Sequence, residues 1–159
     1  MSKLTHLDNR DNARMVDVSE REVTIRTATA SGRVTTTADV LAAISAGSVP
    51  KGDVAAVARI AGIMAAKRTP DLIPLCHPIA LHNVEVSVDV VDRGVALSVV
   101  VRTADRTGVE MEALTAVSIA GLAVIDMIKA LDPAATLTDV RVDAKDGGRS
   151  GAWTRSEQP

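Results

Sequence analysis

Apolar and polar residues alternate strictly over residues 84–90: Val84, Val86, Val88 and Val90 fall on one side, Glu85, Ser87 and Asp89 on the other. A period of two predicts a half-buried strand. Arg93-Gly94 then turns the chain and residues 95–102 return, so a hairpin is expected. An earlier alternation, Val23, Ile25, Thr27 and Thr29, predicts a strand turned at Ser31-Gly32. Residues 37–46 read as a helix, with Thr37 as its start signal and Gly47 as its stop. A second helix is expected from about Asp53 to Arg68, with its acid at the start and Lys67-Arg68 at the end, as the helix dipole favours. Three prolines in residues 69–78 exclude a continuous helix or a central strand there. The longest helix is expected over residues 108–131, stopped at Asp132-Pro133. At its start, Thr107 and Glu110 have the spacing of a capping box. A short strand over residues 138–142 leads into a Gly-rich loop at 145–151.

The order β, α, α, β, β, α, β predicts an α+β sandwich with helices on one face of an antiparallel sheet. Residues 1–13 show no apolar period and are expected to form a flexible arm. Residues 14–159 are expected to make one domain that ends in the Gly-rich basic loop. The long helix is apolar almost all round, so it needs cover on more than one side. A neighbouring copy is a plausible cover, and a homo-oligomer is expected on that ground.

Composition narrows the function classes. The chain has 159 residues, 47% apolar and 24% charged, which excludes a disordered or low-complexity protein. A net charge of −2 without a basic block argues against a nucleic-acid partner. Phe and Tyr are absent and Trp153 is the single Trp, so base-stacking platforms are excluded and the core is built from aliphatic residues. Cys76 is the one cysteine, which excludes an internal disulfide and suits a reducing compartment. The N-terminal residues carry no apolar signal core, and the strongest apolar stretch, residues 113–125, falls short of the roughly 20 residues a bilayer span needs. A cytoplasmic protein with no membrane partner is expected.

Four features carry possible chemistry. Asp126 and Lys129 interrupt an apolar run at helical spacing, and Glu112 lies close to a whole number of turns before Asp126. By position alone a weak surface ion pair is favoured about two to one over a catalytic couple in a cleft. Prolines on both sides of Cys76 and His77 make either a rigid turn with a buried thiol or a binding wall with His77 as a polar partner. Zinc held by Cys76, His77 and His82 is disfavoured, because adjacent Cys-His chelates one ion poorly and no second cluster completes four ligands. Lys51 at the mouth of a helix, and Lys145 with Arg149 in the Gly-rich loop, suit a phosphate, although a loop of that kind is more often solvated.

Several blocks together resemble the MoaC family, the cyclic pyranopterin monophosphate synthases of molybdenum cofactor biosynthesis. They include LTH at residues 4–6, MVDVS at 15–19, KGDV at 51–54, ARIAG at 58–62 and AAKRT at 65–69. DLIPLCHP at 71–78, TGVEMEALT at 107–115, Asp126-Met and Lys129-Ala complete the set, which runs nearly the whole chain in order. The resemblance implies a ferredoxin-like subunit in a homohexamer, a trimer of dimers with sites at subunit interfaces. It implies a lyase that converts 3′,8-cyclo-7,8-dihydro-GTP, supplied by a radical-SAM GTP cyclase, to cyclic pyranopterin monophosphate and pyrophosphate. Leu75, Cys76, His77, Met111 and Glu112 are then substrate contacts, and Asp126 is the foremost catalytic residue. Lys129 is assigned acid/base work, Asp126 its orientation, and Lys51 the phosphate charge. Lys67, Lys145 and Arg26 are further candidates for the triphosphate, and Glu110 is either a substrate contact or only the capping-box partner. His77 is a further acid/base candidate. No resident cofactor or metal is implied, and the sequence leaves open whether Mg²⁺ travels with the triphosphate. Pro70 stands where the family more often has a larger residue, and Asp146 sets a negative charge beside Lys145 that Arg149 is expected to offset. The resemblance leads to the expectation that Lys51, His77, Glu112, Asp126 and Lys129 converge on one cleft, part of it from another subunit. A non-catalytic metabolite-sensing oligomer and a purely structural assembly subunit are the competing readings.

Overall fold

The computed structural model describes residues 7–8 and 10–156. The LTH block and most of the expected N-terminal arm lie outside the described residues. Within the arm, Leu7 bridges Ala13, and the Asp8 carboxylate accepts from the backbone N–H groups of Arg10 and Asn12.

Five strands form one antiparallel sheet: β1 (Thr24–Thr35), β2 (Asn83–Val91), β3 (Gly94–Asp105), β4 (Thr136–Asp146) and β5 (Trp153–Thr154). Their order is β2-β3-β1-β4-β5. Among the described residues four helices accompany them: α1 (Ala38–Ser45), α2 (Val54–Ala66), the single turn α3 (Thr69–Leu72) and α4 (Glu110–Ile128). With β5 set aside, the strand order and the two long helices make a ferredoxin-like α+β layer.

The alternation in β1 and β3 decides which face meets the helices. Ala28, Ala30 and Val34 on β1, with Val95, Leu97, Val99 and Val101 on β3, are buried under α4. The expected turn at Ser31-Gly32 does not form: β1 runs straight through it and pairs with β3 along its whole length. Gly32 serves packing instead, since a β-carbon there would lie 2.7 Å from Val117 Cγ1 on α4. The register of β1 with β4 shifts between Thr29 and Ala30 and again between Ser31 and Arg33. At the β2–β3 turn Arg93 adopts φ 65, a left-handed conformation that closes the expected hairpin. Thr37 caps α1 as read, through the N–H of Val40, and Asp53, expected as the acid at the start of α2, caps that helix through the N–H of Ala56. Gly47, at φ 66, follows α1.

α4 is 19 residues long and apolar enough by length and composition to cross a membrane. Its burial marks it as a core helix: the sheet covers one side and α2 another, and Ala113, Ala116, Val117, Ala120 and Val124 are fully enclosed. Cover that the sequence assigned to a neighbouring copy thus comes largely from α2. Small residues permit this close crossing. A β-carbon on Gly62 of α2 would lie 3.1 Å from the Ala116 carbonyl oxygen and 3.3 Å from Ala120 Cβ. Gly62→Leu is therefore expected to push α2 off α4 and lower stability by about 1–3 kcal/mol, measured by urea unfolding.

Candidate functional site

α2 and α4 run antiparallel, so the start of one lies beside the end of the other. This brings Lys51, just before α2, to Asp126 near the end of α4. The Lys51 ammonium donates to the Asp126 backbone carbonyl at 2.7 Å and to its Oδ2 at 3.0 Å. Lys129 Nζ approaches Asp126 Oδ1 at 2.7 Å. Asp126 is thus held between two lysines, and the trio carries one net positive charge. The hydrogen bond from Lys129 first, and that from Lys51 second, hold the Asp126 carboxyl down at about 2. All three side chains are 43–60% exposed, so the trio faces solvent.

The other end of α4 builds a different site. The expected capping box is absent: Val109 holds the N-cap position and no side chain caps the helix. The Glu110 carboxylate accepts instead from Lys145 Nζ at 2.9 Å, tying the helix start to β4. A cation is the stronger partner for a carboxylate than a neutral backbone N–H. Beside this pair is a cavity of about 370 Å³ lined by Leu75, Cys76, His77, Glu110, Met111 and Glu112, together with Val16, Val18 and Arg21. A neighbouring cavity of about 480 Å³ shares Val16, Val18, His77 and Thr107 with it. Another cavity, about 640 Å³, lies elsewhere, along the strands near Ser31, Arg33, Ser98 and Arg141, and contains none of the expected catalytic residues.

Glu112 is 3% exposed. Burial pushes its carboxyl up to about 7, against a pull from its own N–H and with a further push from the Glu110 charge. Near neutral pH it therefore exists in both forms and can accept or donate a hydrogen bond. Burial first, and the nearby Glu112 second, also push the Cys76 thiol up, which keeps it a thiol and not a nucleophilic thiolate. His77 Nε2 lies 2.7 Å from the Val16 carbonyl oxygen.

The remaining predicted residues line neither cavity and lie outside the lysine trio. Arg26 donates through Nε to the Asp105 carbonyl at 3.0 Å and lies against Gly148 of the Gly-rich loop. Asp146 turns into its own loop and accepts from the Gly147 N–H at 2.8 Å, away from the Lys145–Glu110 pair. Lys67 caps the end of α2, exposed and without an ion pair among the described residues. Pro70 opens the single turn α3. His82 is spent on Thr103, 3.3 Å from its hydroxyl, and lines neither cavity. Among the described residues no group of three His, Cys, Asp or Glu side chains is arranged to hold a metal.

Within one chain, then, the five residues expected in one cleft form two separate groups. Glu112 and Asp126 share α4 but stand fourteen residues apart, about 21 Å along the helix. His77 and Glu112 line the cavity, while Lys51, Asp126 and Lys129 form the distant trio. Sequence reasoning missed Val16, Val18 and Arg21 as cavity residues. Their signal was present: Val16 and Val18 alternate with exposed Met15, Asp17 and Ser19.

A sequence model described as the MoaC family matches residues 15–148. A Streptomyces coelicolor protein named cyclic pyranopterin monophosphate synthase is 60% identical over 154 residues, 97% of this chain and 91% of its own length. A Mycobacterium tuberculosis protein named cyclic pyranopterin monophosphate synthase 2 is 57% identical over 96% of this chain and 92% of its own. One from Thermomicrobium roseum, named as the first, is 53% identical over 99% and 96%.

The raised Glu112 carboxyl has a thermodynamic consequence. Between its ordinary 4.5 and about 7 the folded state holds a proton that the unfolded chain has released, so stability falls as pH rises through that window. Glu112→Gln removes this dependence. Relative to the wild type, the Gln variant is expected to gain about 2–3 kcal/mol between pH 4 and pH 8, read from urea unfolding across that range.

Proposed function

The chain belongs to the MoaC family, and from that premise we propose how its two groups of residues carry the reaction. It is a cyclic pyranopterin monophosphate synthase, a lyase of molybdenum cofactor biosynthesis. The substrate is a nucleotide-derived triphosphate, 3′,8-cyclo-7,8-dihydro-GTP, supplied by a radical-SAM enzyme. The products are cyclic pyranopterin monophosphate and pyrophosphate.

The cavity beside Glu112 suits the base. Glu112 and the backbone of Leu75, Cys76 and His77 accept from a guanine-like edge, and Met111 supplies an apolar wall. The lysine trio suits phosphate and proton transfer. Lys129, oriented by Asp126, acts as acid and then base while the imidazole ring opens and the pterin closes. Lys51 meets negative charge on the phosphate chain, with Lys67, Lys145 and Arg26 as further cations for a triphosphate. Glu110 holds Lys145 in place. Any Mg²⁺ enters as part of the substrate, bound to its phosphates.

The observation that carries this reading is the separation of about 21 Å between the two groups. No single side chain spans it, so one reacting ring meets both only if a sister copy supplies one of them. The outer face of α2 supports such docking: Val57, Ile60 and Met64 are 42–59% exposed at helical spacing. A homohexamer, a trimer of dimers, provides the interfaces, and a cytoplasmic location fits a biosynthetic enzyme with one free thiol. A metabolite sensor has no need of a lysine-clasped carboxylate.

The test is direct. Purified protein incubated with enzymatically made cyclo-GTP is expected to release pyrophosphate and yield a pterin that fluoresces after oxidation. Asp126→Ala and Lys129→Ala are each expected to lower turnover by about 10²–10⁴-fold while the elution volume on size-exclusion chromatography stays that of the wild type. Full turnover by either variant removes that residue from the mechanism.

A further inference from the structure

We propose that residues 15–21 form a strap over the base cavity, latched by the His77 imidazole and the Arg106 guanidinium, with Arg106 a positioning residue for substrate binding. The proposal rests on the base cavity of the function proposed above. The strap is extended and in-out alternating: Val16 and Val18 turn inward, while Met15, Asp17 and Ser19 are exposed. Val16, Val18 and Arg21 line the cavity of about 370 Å³, and Met15 to Ser19 line its neighbour. The strap is therefore the wall between the base cavity and solvent.

Among the described residues no strand ladder holds this wall. Two side chains from the opposite rim reach across to its backbone. His77 Nε2 lies 2.7 Å from the Val16 carbonyl oxygen, and Arg106 Nε donates to the Arg21 carbonyl oxygen at 2.9 Å. The strap adds a turn of its own, Arg21 N–H to Val18 carbonyl at 3.0 Å, and Asp17 accepts from the Ser19 N–H and hydroxyl. A segment with so few bonds opens at low free-energy cost, as a wall that must admit a nucleotide requires.

The latch also fixes the His77 tautomer. A carbonyl oxygen only accepts, so Nε2 carries a hydrogen and, in the neutral ring, Nδ1 remains an acceptor. His77 Nε2 is thus committed to the strap and not to proton transfer. Arg106 is exposed and lines only the neighbouring cavity, so its effect on the base passes through the strap.

Hydrogen exchange with and without GTP, a probe carrying both guanine and triphosphate, tests the strap whether or not turnover is observed. In the wild type, amides 16–21 are expected to gain protection on GTP addition. In Arg106→Ala that protection is expected to fall, KM for cyclo-GTP to rise about tenfold, and kcat to stay within about twofold. Slow exchange of β3 and α4 amides checks that the fold is intact. His77→Gln, which keeps a donor near the Nε2 position, is expected to retain strap protection that His77→Ala loses. Unchanged strap exchange and KM in Arg106→Ala overturn the proposal, as does equal loss in the Gln and Ala variants of His77. Failure of the wild type to turn over cyclo-GTP refutes the function and leaves the exchange test standing.

Discussion

The close crossing of α2 on α4 is the constraint from which the rest follows. Without Phe or Tyr the core is filled by short aliphatic side chains, and two helices packed on Ala and Gly approach closely. Gly62 beside Ala116 and Ala120 sets that approach. Because the pair is antiparallel, the loop that leads into α2 is carried to the last turn of α4. Lys51 reaches both the Asp126 carbonyl and its carboxylate only from there. An apolar contact near the middle of two helices thus fixes a polar constellation at their end.

The same helix carries two carboxylates in opposite electrostatic states. Asp126 is exposed between two ammonium groups and stays ionised to about pH 2. Glu112 is buried near another carboxylate and titrates at about 7. Burial governs one and charge partners the other, so a single helix offers a fixed anion at one end and a proton-exchanging group at the other. Phosphate chemistry calls for the cations that surround the first. Recognition of a heterocycle with both donors and acceptors suits the second.

Strand alternation, the caps at Thr37 and Asp53, and the β2–β3 turn at Arg93-Gly94 were legible because each depends on residues adjacent in sequence. The turn expected at Ser31-Gly32 was misread because Gly32 answers to Val117, a tertiary neighbour. The capping box at Thr107 was misread for a similar reason: Lys145, thirty-five residues away, takes Glu110. Asp126 with Lys129 was visible from helical spacing, whereas the tie to Lys51 depended on the helix crossing. Helical phase set Glu112 and Asp126 on one side of α4, but phase says nothing of the distance between them. That distance is why one chain holds the five residues as two separate groups, and why the expected cleft needs part of its lining from another subunit.

The claim that two half-sites from different copies make one active site is tested by complementation. Asp126→Ala and Glu112→Ala chains, carrying different tags, are co-expressed and purified as mixed oligomers, and turnover of cyclo-GTP is measured against each variant alone. If the site is shared between copies, random pairing of equal numbers of chains restores about a quarter of the sites to full composition, and turnover rises to about that fraction of wild type. A mixed oligomer as inactive as its two parents contradicts the account.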